Sequence, residues 1–290
     1  MFAHDEMTGE LSGFSMNQTL EPHNINGQTL YHGDCFEAMA LIPDGSVDMI
    51  LCDLPYGTTA CKWDQVIPFE PLWAAYKRVI KPNGVIVLTA SQPFTSDLIA
   101  SNRKDFRYCW VWEKNKPTGF MNVKKLPLRA HEDICVFGGN TYNPQGTREC
   151  HIVKSNNKVG RGSVIHKWAC AEYYVQSVEN YPRSVLRFDS ECNGLHPTQK
   201  PVPLFEYLIR TYTNSGDAVL DNCAGSMTTA IACINSDRHS ICIERDDEYF
   251  AKGMARVTNH VKADPNAPVK TKAKPMSVRP EQLGLLLDVA

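Results

Sequence analysis

The sequence predicts an α/β fold: a Rossmann-like, mostly parallel sheet with helices on both faces and an inserted, irregular lobe. Three observations carry this. Short apolar runs alternate with helical stretches from about Gln28 onward, the rhythm fails between Gly138 and Asn193, and it resumes at Pro201. Strand–helix alternation is the pattern of parallel β-α-β units. A pattern that stops and resumes implies one sheet with an insertion, and 290 residues suit one large domain better than two equal ones.

The elements follow in order. Residues 1–26 hold Asp5, Glu6, Glu10 and Glu21 with no Lys or Arg and no period, the composition of a loose leader. Thr29 to His32 reads as a strand, followed by a helical turn through Phe36, Met39 and Leu41. Val47 to Cys52 is a buried strand ending at Asp53. Pro68 to Ile80 reads as a helix with Leu72, Tyr76, Val79 and Ile80 on one face, and Lys81-Pro82-Asn83-Gly84 breaks it. Val85 to Thr89 is a strand, Pro93 to Ser101 a helix, and Tyr108 to Trp112 and Ile134 to Phe137 are strands. After the lobe come a helix (Pro201 to Tyr212), a strand (Ala218 to Asp221), a helix (Met227 to Asn235), a strand (Ser240 to Glu244) and a helix (Asp246 to His260). Residues 27–137 and 194–261 therefore form the core and 138–193 the lobe. Beyond Val261 the chain has Lys/Pro-rich linker composition, and Leu283 to Val289 is an apolar tip that could dock on the body or on a second copy as a homodimer.

Bulk composition narrows the classes. The net charge is −2, so any nucleic-acid surface must be local. The eleven cysteines are scattered without a C-x-x-C pair, which points to reduced thiols in a cytoplasmic setting. Cys150, His151, His166 and Cys170 match no common zinc spacing, and no metal is expected. No basic, apolar leader of a secreted protein and no run long enough to span a membrane is expected.

Two strand ends carry chemistry. Ligands of open α/β sheets bind outside the carboxyl ends of the strands. Asp53-Leu54-Pro55-Tyr56-Gly57 follows the strand at Val47. Pro55 restricts Leu54 to extended backbone, so the Asp53 carboxylate and the Leu54 carbonyl can face outward as two acceptors suited to an amino group with two donors. Tyr56 adds a face on which a planar ring can stack. The bland alternative is a strand-to-loop turn with a capping Asp and a surface Tyr. The second end, Asp221 to Thr229, is a small-residue turn opening a helix, where Cys223, Ala224, Gly225, Ser226 and Thr228 let backbone approach an anionic or amino-acid-like ligand. Glu244, about twenty residues on, is placed to hydrogen-bond ribose hydroxyls, or else is a solvated helix-start acid beside Asp246 and Asp247.

Together these residues resemble the amino-group DNA methyltransferases that use S-adenosylmethionine. Asp53-Leu54-Pro55-Tyr56 resembles their catalytic (D/N/S)-P-P-Y motif, Asp221 to Thr229 their D-P-F-x-G-S-G-T-T turn, and His196 to Pro201 their H-P-T-Q-K-P segment. The catalytic motif precedes the cofactor motif, the permuted order called beta class, and His32-Gly33-Asp34-Cys35 fits that group. The resemblance spans about residues 28 to 260. It implies cofactor contacts from Asp34, His196, Thr198, Lys200, Asp221, Cys223, Ala224, Gly225, Ser226, Thr228 and Glu244. Leu54 stands where the first Pro is usual, Asn222-Cys223 where Pro-Phe is usual, and Met227 where Gly is usual.

The implied activity is methyl transfer to the exocyclic amino group of a flipped base in double-stranded DNA. Asp at the first motif position favours adenine N6, and cytosine N4 is the alternative. Asp53 and the Leu54 carbonyl would accept both N–H groups, and the carboxylate would stabilise positive charge developing on nitrogen. Residues 103–129 hold eight basic groups against Asp105 and Glu113, with Trp110, Trp112 and Phe120 interleaved. Lys114, Lys116, Lys124, Lys125 and Arg129 there, and Lys154, Lys158 and Arg161 in the lobe, are candidate DNA contacts. Rival readings are a methyltransferase acting on RNA or a protein glutamine amide, a nicotinamide-dependent oxidoreductase, and a DNA-binding protein that has lost catalysis.

Overall fold

A computed structural model describes residues 20–59, 61, 64–155, 173–191 and 198–263. Its elements in chain order are β1 (His23–Ile25), β2 (Gln28–His32), α1 (Cys35–Ala40), β3 (Val47–Asp53), α2 (Phe69–Val79), β4 (Ile80–Ala90), α3 (Phe94–Ser101), β5 (Phe106–Thr118), β6 (Arg129–Gly138), β7 (Arg148–Ser155), β8 (Tyr173–Glu179), β9 (Val185–Arg187), α4 (Val202–Tyr212), β10 (Ala218–Asp221), α5 (Thr228–Ser236), β11 (His239–Glu244) and α6 (Asp247–Ala263).

Among the described residues one sheet runs β1-β2-β11-β10-β3-β4-β6-β5-β9. Strands β2, β11, β10, β3 and β4 pair in parallel. Strand β6 is antiparallel to β4 and β5 antiparallel to β6, so β5 again points the same way as the parallel set. His32, Glu244, Asp221, Asp53 and the far end of β5 therefore reach the same edge of the sheet.

Period-2 alternation places apolar side chains on both faces. Ile50 and Cys52 of β3 pack with Leu72, Trp73 and Tyr76 of α2 and Met39 of α1. Met49 and Leu51 pack the other way, with Leu204, Phe205 and Leu208 of α4 and Ala232 of α5. Helix α2 forms because Leu72, Tyr76 and Val79 recur at helical spacing on the buried side, with Lys77 and Arg78 in its last turn. Helix α1 is capped by Asp34, whose Oδ1 accepts the N–H groups of Phe36 (2.8 Å) and Glu37 (3.4 Å).

Three expectations need correction. Order begins before Gln28, because His23–Ile25 pairs antiparallel with β2 inside the segment read as a leader. The helix does end before Lys81–Gly84, but the next strand starts earlier than Val85: Ile80 already pairs with Val47, and a bulge separates that rung from Val85 opposite Met49. The lobe read as irregular contains an antiparallel hairpin, β7 with β8, and a strand, β9, that joins the main sheet beside β5. Residues 1–19, 60, 62–63, 156–172, 192–197 and 264–290 lie outside the described residues, and with them His166, Cys170, His196, Lys158, Arg161 and the apolar tip. Among the described residues no helix is long and apolar enough to cross a membrane.

Candidate active site

The two chemical strand ends meet. Strands β3 and β10 are paired neighbours, with Met49 opposite Val219 and Ile50 opposite Leu220, so Asp53 and Asp221 emerge side by side. Both line one cavity of about 990 Å³, ample for a nucleoside-sized cofactor and a planar base together. Asp34, Leu54, Pro55, Tyr56, Lys114, Lys116, Arg129, Thr198, Lys200, Cys223, Ala224, Gly225, Ser226, Thr228 and Glu244 line it too, whereas Lys124, Lys125 and Lys154 do not.

On the Asp53 side the carboxylate is held by three donors. Its Oδ1 accepts the Tyr56 hydroxyl at 2.7 Å and the Thr89 hydroxyl, and its Oδ2 accepts Lys200 Nζ at 2.5 Å. Thr89 reaches it because β4 pairs with β3 in a register that sets Thr89 opposite Asp53. Burial, and next the charge of Asp53, push the Tyr56 phenol well above its ordinary range, so it stays a neutral donor. The Tyr56 ring stacks on Phe94 with centroids 5.2 Å apart, and Lys200 Nζ lies 5.7 Å from the ring centroid.

Lys200, expected at the cofactor, thus sits on the Asp53 carboxylate. Its side chain is 6% exposed and its Nζ is also 3.4 Å from Glu132 Oε2. Burial pulls this ammonium down, but Asp53 and Glu132 outweigh it and hold it above the usual lysine value. Glu132 in turn binds Lys114 Nζ at 3.0 Å, and the Lys114 side chain is only 8% exposed. Lys114 is therefore committed to a buried pair, which corrects its placement among free phosphate contacts. The two tryptophans are core as well: Trp110 donates to the Tyr212 hydroxyl at 2.6 Å and Trp112 to the Phe188 carbonyl at 2.9 Å. The basic run also divides. Arg103, Lys104 and Arg107 flank the start of β5 and Lys116 to Arg129 its far end, roughly 30 Å away along an extended strand.

Beyond Tyr56 the chain is clasped by Asp64. Its carboxylate accepts the N–H groups of Gly57 (2.8 Å), Thr58 (2.9 Å) and Thr59 (2.7 Å). Burial raises the Asp64 carboxyl, but these donors and the Thr59 hydroxyl outweigh it and lower it overall. Sequence reasoning missed Thr89, Glu132 and Asp64.

On the cofactor side Asp221 is buried. Its Oδ1 accepts the Cys223 N–H at 3.1 Å and its Oδ2 the Thr229 hydroxyl at 2.5 Å, and burial pushes its carboxyl up to about 6. Glu244 braces the turn directly: Oε2 accepts the Gly225 N–H at 2.7 Å and Oε1 the Asp246 N–H at 2.8 Å. Ser226 donates to Gln199 at 3.2 Å, and Arg256 donates to the Ser226 carbonyl at 2.9 Å and the Thr228 hydroxyl at 3.1 Å. Arg256, also missed, ties α6 to the turn. Met227 adopts φ 61°, is fully buried against Gly253 and does not line the cavity, so its bulk leaves the ligand space open.

The lining fits S-adenosylmethionine. Glu244, Asp34, Asp246 and Asp247 offer carboxylates to hydroxyl and ammonium groups, while Cys223, Ala224 and Ile243 offer apolar surface to a purine.

The chain is 30% identical over 279 residues to the DNA adenine methyltransferase YhdJ of Escherichia coli (strain K12), covering 89% of this chain and 93% of that protein. It is 26% identical to the type II methyltransferase M2.DpnII of Streptococcus pneumoniae, covering 81% and 91%. The crystal structure of the M1.HpyAVI-SAM complex superposes with a TM-score of 0.54 at 26% identity, covering 79% of this chain and 98% of that one. Residues 47–255 match the N6/N4 DNA methylase family, which with the shared cavity of Asp53 and Asp221 establishes that the chain belongs to the S-adenosylmethionine-dependent DNA methylases.

Proposed function

We propose that the chain methylates the exocyclic N6 of adenine in a specific sequence of double-stranded DNA. The observation that carries this reading is the opening of Asp53 and the 221–229 turn into one cavity. S-adenosylmethionine supplies an electrophilic methyl group on a sulfonium. Asp53, oriented by Tyr56, Thr89 and Lys200, accepts one amino N–H of the base, and the Leu54 carbonyl accepts the other. Drawing both hydrogens to acceptors frees the nitrogen lone pair from the ring, and the carboxylate stabilises the positive charge that develops. Glu244, Arg256 and the Asp221–Thr229 contact keep the turn rigid, so that positioning supplies much of the rate.

The adenine preference is supported by the names of the relatives and by Asp at position 53. Lys116, Lys124, Lys125 and Arg129 at the far end of β5 serve as phosphate contacts, and the β7–β8 hairpin with Lys154 serves as the target-recognition lobe. A DNA substrate, and cysteines that form no disulfide among the described residues, support a cytoplasmic setting. Sequencing with modified-base detection on DNA from cells expressing the chain tests the reading. N6-methyladenine in one sequence context is expected. N4-methylcytosine instead would reassign the base, and methyl incorporation only into RNA or protein would reject the reading.

A further inference from the structure

The hairpin joining β5 to β6 ends in a tip that the site does not use. The last rung of its ladder is Thr118 opposite Arg129, after which the chain makes a 3₁₀ turn, Phe120–Asn122. Phe120 is 77% exposed and Met121 98% exposed, with Val123, Leu126 and Leu128 also on the surface. A contiguous set of exposed large apolar side chains on one turn marks a contact surface. It adjoins the cavity: Lys116, Pro117, Thr118 and Arg129, immediately below the tip, line the mouth.

Charge identifies the occupant. Between Glu113 and Glu132 the chain carries Lys114, Lys116, Lys124, Lys125 and Arg129 and no acidic residue. With Lys114 neutralised by Glu132, four cations surround the apolar tip. A second copy docking on itself here would set these cations against their equals. A polyanion that also offers flat apolar interior surface, duplex DNA, meets both demands.

We propose that Phe120 and Met121 form a wedge that enters the base stack as the target base leaves it, with Lys116, Lys124, Lys125 and Arg129 on the flanking phosphates. The inference rests on the reading of the chain as a DNA methyltransferase. Extruding a base loses stacking on both sides. An apolar side chain entering the gap restores contact with the neighbouring bases, and exposed Phe and Met are among the residue types that act in this way. The β5–β6 hairpin carries the tip out from the cavity wall that Trp112 and Lys114 line: pairing runs to Glu113 opposite His131 and, past a register shift, resumes at Thr118 opposite Arg129.

The test uses the full chain and its Phe120→Ala/Met121→Ala variant. Both side chains are exposed, so the variant keeps the fold. The probes are a short duplex carrying the methylated context and the same duplex with an abasic residue opposite the target base, where less stacking and pairing must be broken. Single-turnover methyl transfer is expected to fall about ten- to hundredfold on the paired duplex and under about threefold on the abasic one, with S-adenosylmethionine affinity unchanged. Equal loss on both duplexes would make the tip a general contact and overturn the wedge, as would no loss on either. A wild-type dimer that the variant loses in sedimentation would overturn it in favour of self-association. Wild-type protein inactive on both duplexes would instead reject the underlying DNA-methylation reading.

Discussion

Lys200 Nζ lies 2.5 Å from Asp53 Oδ2, a buried ion pair on the carboxylate proposed to receive the amino group. The pair belongs to a chain of alternating charges, Lys114–Glu132–Lys200–Asp53. Lys200 is almost inaccessible, and removing it leaves two half-buried carboxylates, 22% and 15% exposed, without their shared cation. Lys200→Met is expected to cost about 3–5 kcal/mol of stability and to lower kcat at least tenfold. S-adenosylmethionine affinity should change far less, because the turn at 221–229 keeps its own braces. Urea denaturation, kcat and isothermal titration with the cofactor measure the three quantities.

The Asp64 clasp is expected to act on rate more than on cofactor binding. Asp64→Ala removes the acceptor of three N–H groups directly after the Asp53–Tyr56 segment. Hydrogen bonds to a carboxylate contribute about 1.5–3 kcal/mol each, and water replaces part of that in an accessible loop. Amide exchange at Gly57, Thr58 and Thr59 should accelerate while β3 and β4 stay protected, with kcat falling about tenfold or more. Unchanged exchange at those amides would remove the clasp from the account.

Much of this was legible in the sequence, and what was not has a physical cause. The strands ending at Asp53, Asp221 and Glu244 could be found because each is an apolar run stopped by an acid. Thr89 and Glu132 could not, since they meet Asp53 and Lys200 only through the register of β4 on β3 and the antiparallel β6. Arg256 sits on a solvated-looking helix and reaches the turn only in the fold. The burial of Lys114 had a signal: Trp110, Trp112 and Lys114 share one face of a strand, so the period that buries the tryptophans turns Lys114 inward too. Its place in a basic run hid this.

Met227 sets two costs against each other. At φ 61° its backbone is in the left-handed region, where a non-glycine residue loses roughly 1–2 kcal/mol. Its side chain, however, is fully buried in the cluster with Phe250 and Val257, and emptying such a site costs about 2–5 kcal/mol. Met227→Gly is therefore expected to destabilise the protein by a few kcal/mol, despite restoring the residue usual in the family. Denaturant unfolding checks the sign, and a more stable variant would contradict it.

Asp221 gives a pH signature. Burial raises its carboxyl from 3.8 to about 6, so the folded state holds the proton more tightly than the unfolded chain. Its contribution to stability is greatest at or below pH 3.8, is lost as pH rises to about 6, and stays lost above. Asp221→Asn should gain on the wild type across that interval by up to about 3 kcal/mol, less about 1 kcal/mol for a poorer fit to Thr229 and the Cys223 N–H. Unfolding free energies of both proteins at several pH values between 4 and 8 measure the difference; a gap that narrows with rising pH would refute the assignment.

The most direct measurement pairs two readings on one variant, Asp53→Ala: the dissociation constant for S-adenosylmethionine and the single-turnover rate of methyl transfer into duplex DNA. Cofactor affinity is expected to stay within about threefold while the rate drops by roughly a thousandfold, the scale of losing a preorganised charge at the reacting atom. A variant that binds the cofactor and still methylates at close to the wild-type rate would contradict the role given to Asp53.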